Sequence, residues 1–141
     1  MEFTIKEYDN YCERDILPLY QNAGWTNYTM QPKMIEKAYN NSLCTLVAIV
    51  DERVIGVVRA VGDGASVLFV QDIIVHSDFQ RKGIGRALLE ALLAKYENVY
   101  QIELATDNTT KLIAFYKSLG FMAGSEIGCE LMMRQNLRSK A

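Results

Sequence analysis

Residues 80–86 read QRKGIGR: two glycines, one residue apart, inside a basic cluster. Upstream, SVLFVQDIIVH (66–76) is almost continuously apolar, the pattern of a strand covered on both faces. Downstream, Ile84, Ala87, Leu88, Ala91 and Leu92 recur at helical spacing. The segment therefore joins a long strand to the first turn of a helix. A helix start presents backbone N–H groups with no internal partner and a partial positive charge. Gly83 and Gly85 lack a Cβ, so an anion can approach those groups closely. A diphosphate fits such a concavity, and Arg81, Lys82 and Arg86 add cationic side chains. Two common phosphate loops do not fit. G-x-x-x-x-G-K-[ST] is absent, and Leu88 stands where the dinucleotide fingerprint needs its third glycine. An ordinary strand-to-helix turn with a solvated basic edge is the alternative.

Outward from this segment, EFTIKEY (2–8) alternates loosely as a strand. ERDILPLYQNAG (13–24) reads as a helix stopping at Gly24, in which Pro18 predicts a late start or a kink. QPKMIEKAYNN (31–41) reads as a second helix with Pro32 near its first turn. SLCTLVAIV (42–50) and VIGVVRAVG (54–62) flank a DER turn as a strand pair, and DGA then turns into the long strand. VYQIELA (99–105) is a further strand, and NTTKLIAFYKSLG (108–120) a helix closing at Gly120 with Leu112, Phe115 and Leu119 on one face. FMAGSEIGCELMMRQNL (121–137) is expected to end the fold as a hairpin, with Met132 and Met133 in its last strand. The order β-α-α-β-β-β-α-β-α-β-β gives an α+β class, α/β in a looser scheme. It is expected to form one domain over 1–141.

The 141 residues suit one core; half are hydrophobic and 23% charged, which excludes a disordered or fibrous chain. The net charge of -2 argues against a general nucleic-acid binder. Cys12, Cys44 and Cys129 are odd in number and match no zinc spacing, so neither a disulfide framework nor a metal site is expected. The opening MEFTIKEYDN lacks the pattern of a signal peptide, and every apolar run falls short of the roughly 18 residues of a membrane helix. A soluble cytoplasmic protein without a membrane partner is expected.

DIIVHSDFQRKGIGRALLEALL (72–93) resembles the central motif of the GNAT superfamily of acyl-CoA-dependent N-acyltransferases, a strand running through [QR]-x-x-G-x-[GA] into a helix. Gln80, Gly83 and Gly85 match it. NTTKLIAFYKSLGF (108–121) loosely resembles a second motif of that family through Asn108, Ala114, Phe115, Tyr116, Gly120 and Phe121, with a longer asparagine-to-alanine spacing. The resemblance implies a mixed, mostly antiparallel sheet with splayed central strands, flanked by about four helices. It implies acetyl-CoA as co-substrate and no metal. The diphosphate would rest on backbone amides of Arg81, Lys82, Gly83, Ile84, Gly85 and Arg86, beside Gln80. The pantetheine arm would pair with the edge of Ile73, Ile74 and Val75, with Asn108 near it. Tyr116 would point at the sulfur. A homodimer through the C-terminal strands is an option the family leaves open.

Acetyl transfer to an amine needs a neutral nucleophile, and holding an alkylamine of pKa about 10 neutral at pH 7 costs roughly 4 kcal/mol. A base or a desolvated site supplies this. The developing oxyanion needs a donor, and the departing thiolate a proton, which a tyrosine such as Tyr116 can give. Asp72, a carboxylate in an apolar run, is the first candidate for the amine side; its alternative is a partnership with a neighbouring strand or Arg59. His76, the only histidine, and Glu103 are further candidates. Polyamine acetyltransferases of this superfamily carry two adjacent acids before the apolar triplet; here the first is Gln71, which disfavours a polyamine.

Trp25 and Tyr28, with Met30 and nearby Tyr20 and Tyr39, are placed to line an acceptor pocket; an aromatic clamp packing helices on the sheet is the alternative. The GDG turn (62–64) and the aspartate before the triplet also resemble small enzymes grouped with arylalkylamine acetyltransferases. The leading expectation is acetyl transfer to a small-molecule primary amine in a ternary complex. Protein or peptide acetylation, and a non-catalytic acyl-CoA sensor, are the other readings.

Overall fold

Five strands form one sheet in the computed structural model, which describes residues 2–136: β1 (Thr4–Glu7), β2 (Cys44–Val50), β3 (Arg53–Gly62), β4 (Val67–Val75) and β5 (Gln101–Leu104). Their spatial order follows the chain, β1-β2-β3-β4-β5. The first three pairings are antiparallel and β4–β5 is parallel, which matches the mixed sheet expected from sequence. The helices are α1 (Glu13–Ala23), α2 (Thr26–Thr29), α3 (Pro32–Asn40), α4 (Ile84–Lys95) and α5 (Thr110–Lys117). The single turn α2 lies within the loop expected between the first two helices. α1 continues through Pro18, since the ring's fixed φ is one a helix can use; Ile16, Leu19 and Tyr20 around it are fully buried and hold the helix in place.

The chain divides into two compact units between Leu104 and Ala105. The first contains the whole sheet. One face carries Val47, Val57 and Ile74, packed with Ile16, Leu19 and Tyr20 of α1 and Ile35 and Tyr39 of α3. The other face receives α4 through Ile84, Leu88, Leu89 and Leu92. Gly56 of β3 permits that approach: a Cβ there would meet Leu88 Cδ1 at 3.2 Å and Ile84 Cγ2 at 3.4 Å. The β3–β4 turn is closed by Asp63, whose Oδ1 accepts from the N–H groups of Ala65 and Ser66 at 2.8 Å and Val67 at 3.1 Å. The Ser66 hydroxyl and these N–H groups hold the Asp63 carboxyl well below the usual range.

The second unit contains α5 and a 3-10 turn at Gly124–Ile127. Here the sequence expectation fails. Among the described residues no strand follows β5, so the closing hairpin is absent over 121–136; Leu137 lies outside the described residues. A local turn competes successfully. Glu126 accepts from the Ala123 N–H at 3.1 Å and pairs with Lys117 at 2.8 Å, and the Cys129 N–H donates to the Gly124 carbonyl at 2.7 Å. Met132 and Met133, expected in the last strand, are exposed. Among the described residues no helix is long and apolar enough to cross a membrane.

Candidate active site

The strand-to-helix segment folds back on its own strand. Ser77–Phe79 forms a 3-10 turn capped by His76, whose Nδ1 accepts from the Asp78 N–H at 3.1 Å. That bond places the neutral ring's proton on Nε2. Gln80 Nε2 donates to the Val75 carbonyl at 3.1 Å, so this expected cofactor residue ties the loop to the strand end. From α1, Asn22 clasps Ser77 twice: Oδ1 accepts from the Ser77 N–H at 2.8 Å, and Nδ2 donates to Oγ at 3.0 Å. The backbone then turns left-handed at Arg81 (φ 62°) and again at Gly83 (φ 79°). α4 starts at Ile84 without a side-chain cap, and its first bond runs from the Ala87 N–H to the Gly83 carbonyl at 3.0 Å. The N–H groups of Ile84 and Gly85 precede that bond, in the first turn where a helix has no internal acceptor to offer. A Cβ at Gly83 would meet nothing within 4 Å. Uncapped donors, open space above a glycine and exposed Arg81 and Lys82 fit the diphosphate of an acyl-CoA.

β4 itself changes character midway. Arg59 of β3 pairs with Asp72 but the next residue, Ala60, pairs with Val70, so Gln71 is an extra residue in a β-bulge. The bulge reverses the strand's phase. Val70 and Leu68 lie opposite Ala60 and Gly62, on the α4 face with Gly56. Asp72 and Ile74 lie opposite Arg59 and Val57, on the α1–α3 face. β5 pairs with β4 only from Val67 to Val70. Within the first unit, Asp72–Val75 thus pairs with β3 on one side and has no strand on the other, and this stretch includes Ile73, Ile74 and Val75.

Asp72 is only 2% exposed and is not a free base. Its Oδ2 accepts from Arg59 Nε at 2.8 Å and from the Tyr20 hydroxyl at 2.7 Å. Tyr20 Oη lies 2.8 Å from Tyr39 Oη. Arg59 also donates to Ser42 Oγ at 3.2 Å and lies over the Tyr39 ring at 5.4 Å. Burial alone would lower the Arg59 pKa, but the charge and hydrogen bond of Asp72 outweigh it and the net direction is up. Burial pushes the Tyr20 and Tyr39 hydroxyls far above the usual tyrosine value. The sequence left Asp72 between a substrate role and an Arg59 partnership; the geometry is that of the partnership.

Trp25 and Tyr28 are half-buried against the α1–α3 core. Tyr20 packs on Tyr28 at 5.2 Å and on Trp25 at 5.7 Å between ring centroids, so both residues clamp α2 onto the core. Each keeps a partly exposed surface. Tyr28 Oη also accepts from Gln71 Nε2 at 3.4 Å, which joins the aromatic pair to the bulge. Met30 is 74% exposed and stands apart from that core. In the second unit, Tyr116 of α5 is buried, with Phe115 at 5.1 Å and Phe121 at 6.0 Å. Burial raises its pKa and keeps the hydroxyl protonated at neutral pH. Asn108 is exposed, one residue before the α5 cap Thr109. Among the described residues no group of acidic, histidine or cysteine side chains could hold a metal.

A family model described as an acetyltransferase (GNAT) domain matches residues 41–123. The chain belongs to the GNAT acetyltransferase family. A GNAT-family acetyltransferase from Streptococcus pneumoniae has a similar structure, with TM-score 0.88 and 40% identity over 97% of this chain and 100% of that one. An uncharacterised N-acetyltransferase of Gracilaria tenuistipitata is 29% identical over 77% of this chain and 60% of its own length. A histone acetyltransferase of Glycine max is 34% identical over 53% of this chain and 32% of its own length. The chain thus spans at most about three fifths of the length of these two curated relatives.

The GNAT motifs mark the loop and the long strand but carry no sign of the bulge. Strictly alternating burial at Leu68, Val70, Asp72 and Ile74 conceals it, because the phase reverses between Val70 and Asp72 while the spacing does not. Tyr20 was also missed as a partner of Asp72. The available signal was its position: with Ile16 and Leu19 it completes an apolar stripe at i, i+3, i+4, which aims the hydroxyl at the sheet.

Proposed function

We propose that this protein transfers an acetyl group from acetyl-CoA to a small primary amine, by direct attack within a ternary complex. The observation that carries this reading is the start of α4 without a side-chain cap, reached through two left-handed residues, next to a stretch of β4 that, among the described residues of the first unit, lacks a strand on one side. When bound, the thioester supplies an activated acetyl group. The N–H groups of residues 81–86 would hold the diphosphate, and the backbone edge of Ile73–Val75 would align the pantetheine arm. This direction along the strand leads toward Gln71, where the half-buried Trp25 and Tyr28 offer an apolar wall for the acceptor. Tyr116, kept protonated by burial, would give its proton to the departing sulfur. Asp72 would act by holding the strand, through Arg59 and Tyr20, rather than by touching substrate.

The test is thiol release from acetyl-CoA with a panel of arylalkylamines, polyamines, aminoglycosides and short peptides. Turnover of small monoamines supports the reading. Turnover confined to peptides favours protein acetylation, the second reading, which the partial similarity to a histone acetyltransferase supports. Tight acetyl-CoA binding without turnover of any amine would leave a sensor and overturn the enzyme reading.

A further inference from the structure

We propose that Tyr20 of α1 is the positioning residue of the acceptor site, fixing Trp25 and Tyr28 in place against β4. This rests on the acetyl-transfer reading above. The acceptor wall cannot hold itself in place. α2 is a single turn, Thr26–Thr29, with no buried residue and no side-chain cap at its start. A helix that short is not stable by itself in water, so its position comes from what it packs on. Tyr20 supplies that surface. Its ring meets Tyr28 at 5.2 Å and Trp25 at 5.7 Å, and its carbonyl accepts from the Trp25 N–H at 3.1 Å. Gly24, left-handed at φ 75°, turns the chain between them.

The same side chain is tied to the sheet. Tyr20 is fully buried, so it touches no substrate. Its hydroxyl donates its one proton to Asp72 Oδ2 at 2.7 Å. The Tyr39 hydroxyl, 2.8 Å away, is then the donor to Tyr20. Asp72 follows the bulge residue Gln71, whose Nε2 reaches the Tyr28 hydroxyl at 3.4 Å. A closed circuit results. It runs from Asp72 to Tyr20 by a hydrogen bond, to Tyr28 by ring contact, to Gln71 by a hydrogen bond, and back to Asp72 through the peptide bond. Within it the Gln71–Tyr28 contact is long and solvent-exposed. Tyr20 instead bonds to a buried carboxylate, which is the stronger kind of hydrogen bond. Tyr20 is thus the stiff member that carries the position of β4 to the acceptor wall.

Removing the hydroxyl separates positioning from packing. Tyr20→Phe keeps the ring and leaves Asp72 bonded to Arg59, so the ion pair stays partnered. The ring is then free to tilt, and Trp25 and Tyr28 move with it. Residues 73–75 and 81–86, assigned to acetyl-CoA, lie outside the circuit, so the change falls on the acceptor. Tyr8→Phe is the control. The Tyr8 hydroxyl donates to Asp15 Oδ2 at 3.1 Å and accepts from the Cys12 N–H at 2.9 Å, and so anchors the opposite end of α1.

The experiment measures steady-state kinetics with the best amine of the panel, acetyl-CoA affinity by calorimetry, and acrylamide quenching of Trp25, the only tryptophan. Tyr20→Phe is expected to raise the acceptor KM about tenfold with kcat held within about twofold. It is also expected to bind acetyl-CoA unchanged and to make Trp25 easier to quench. Tyr8→Phe is expected to match the wild type in all three, though less stable to urea. In the wild type, saturating amine is expected to shield Trp25 from acrylamide. An unchanged acceptor KM in Tyr20→Phe overturns the proposal. So does a KM that rises equally in Tyr8→Phe, or a fall in kcat alone, since each marks a general structural loss. Wild-type quenching that is indifferent to saturating amine overturns it whatever the variants do. A wild type that binds acetyl-CoA but acetylates no amine defeats the acetyl-transfer reading itself, and this proposal with it.

Discussion

The two halves of β4 are built for different purposes. From Val67 to Val70 the strand is bonded on both sides, to β3 and β5, and its buried residues face α4. From Asp72 to Val75 its only strand partner among the described residues is β3, the Val75 carbonyl also accepts from Gln80, and the buried Asp72 and Ile74 face α1 and α3. The first half is ordinary sheet interior. The second carries a buried ion pair and leads into a helix start without a side-chain cap. One extra residue separates the two. A single bulge lies where the parallel pairing ends, and it reverses the phase of the strand.

The comparison breaks most severely if the ion pair is removed from one side. Arg59→Leu leaves the Asp72 charge buried without its partner, and we expect a loss of about 3–5 kcal/mol in urea unfolding. Replacing both residues by leucine should recover most of that loss. Equal stability of the single variant and the wild type would mean that the second half of β4 does not depend on the pair.

Tyr116→Phe removes the hydroxyl assigned to the departing sulfur and leaves the ring to pack on Phe115 and Phe121. The expected outcome is a fall in kcat of about 10²-fold with acetyl-CoA affinity retained. Undiminished turnover would require another acid.

At the loop, Gly83→Val should weaken acetyl-CoA binding at least about tenfold, through strain at φ 79° and intrusion on the diphosphate. Gly85→Ala separates these two causes. Its Cβ would meet only Val75 Cγ2, at 3.8 Å, so the fold should be kept and α4 stabilised by about 0.5–1 kcal/mol. Weaker acetyl-CoA binding by a more stable variant would sharpen the claim that the backbone is approached there. Unchanged affinity in both variants would break it.

A separate effect is on alkaline stability. Burial raises the hydroxyl pKa values of Tyr8, Tyr20 and Tyr39 in the fold. Above pH 10 the unfolded chain therefore loses protons that the native state keeps. Stability is complete below the unfolded tyrosine value of about 10 and falls as pH rises past it. Urea midpoints at pH 8 and pH 11 read the difference.

How much of this could be read beforehand follows the same division. The first half of β4, its handover to α4 and the helix face of Ile84, Leu88 and Leu92 were legible, because each is a local period or a local glycine pattern. The role of Asp72 was legible only as two alternatives, since its partners Arg59 and Tyr20 lie 13 and 52 residues away in sequence. The bulge was not legible because an extra residue leaves composition and spacing intact. The expected C-terminal hairpin failed for the opposite reason: ELMM looks like a strand, but Glu126, Lys117 and two glycines close a turn first.

Backbone amide NMR during titration with acetyl-CoA tests the central claim most directly. The account predicts the largest shifts at residues 81–86 and along Ile73–Val75, with little change at Val67–Val70. Shifts of equal size in both halves of β4, or saturable binding that leaves residues 81–86 unmoved, would contradict it.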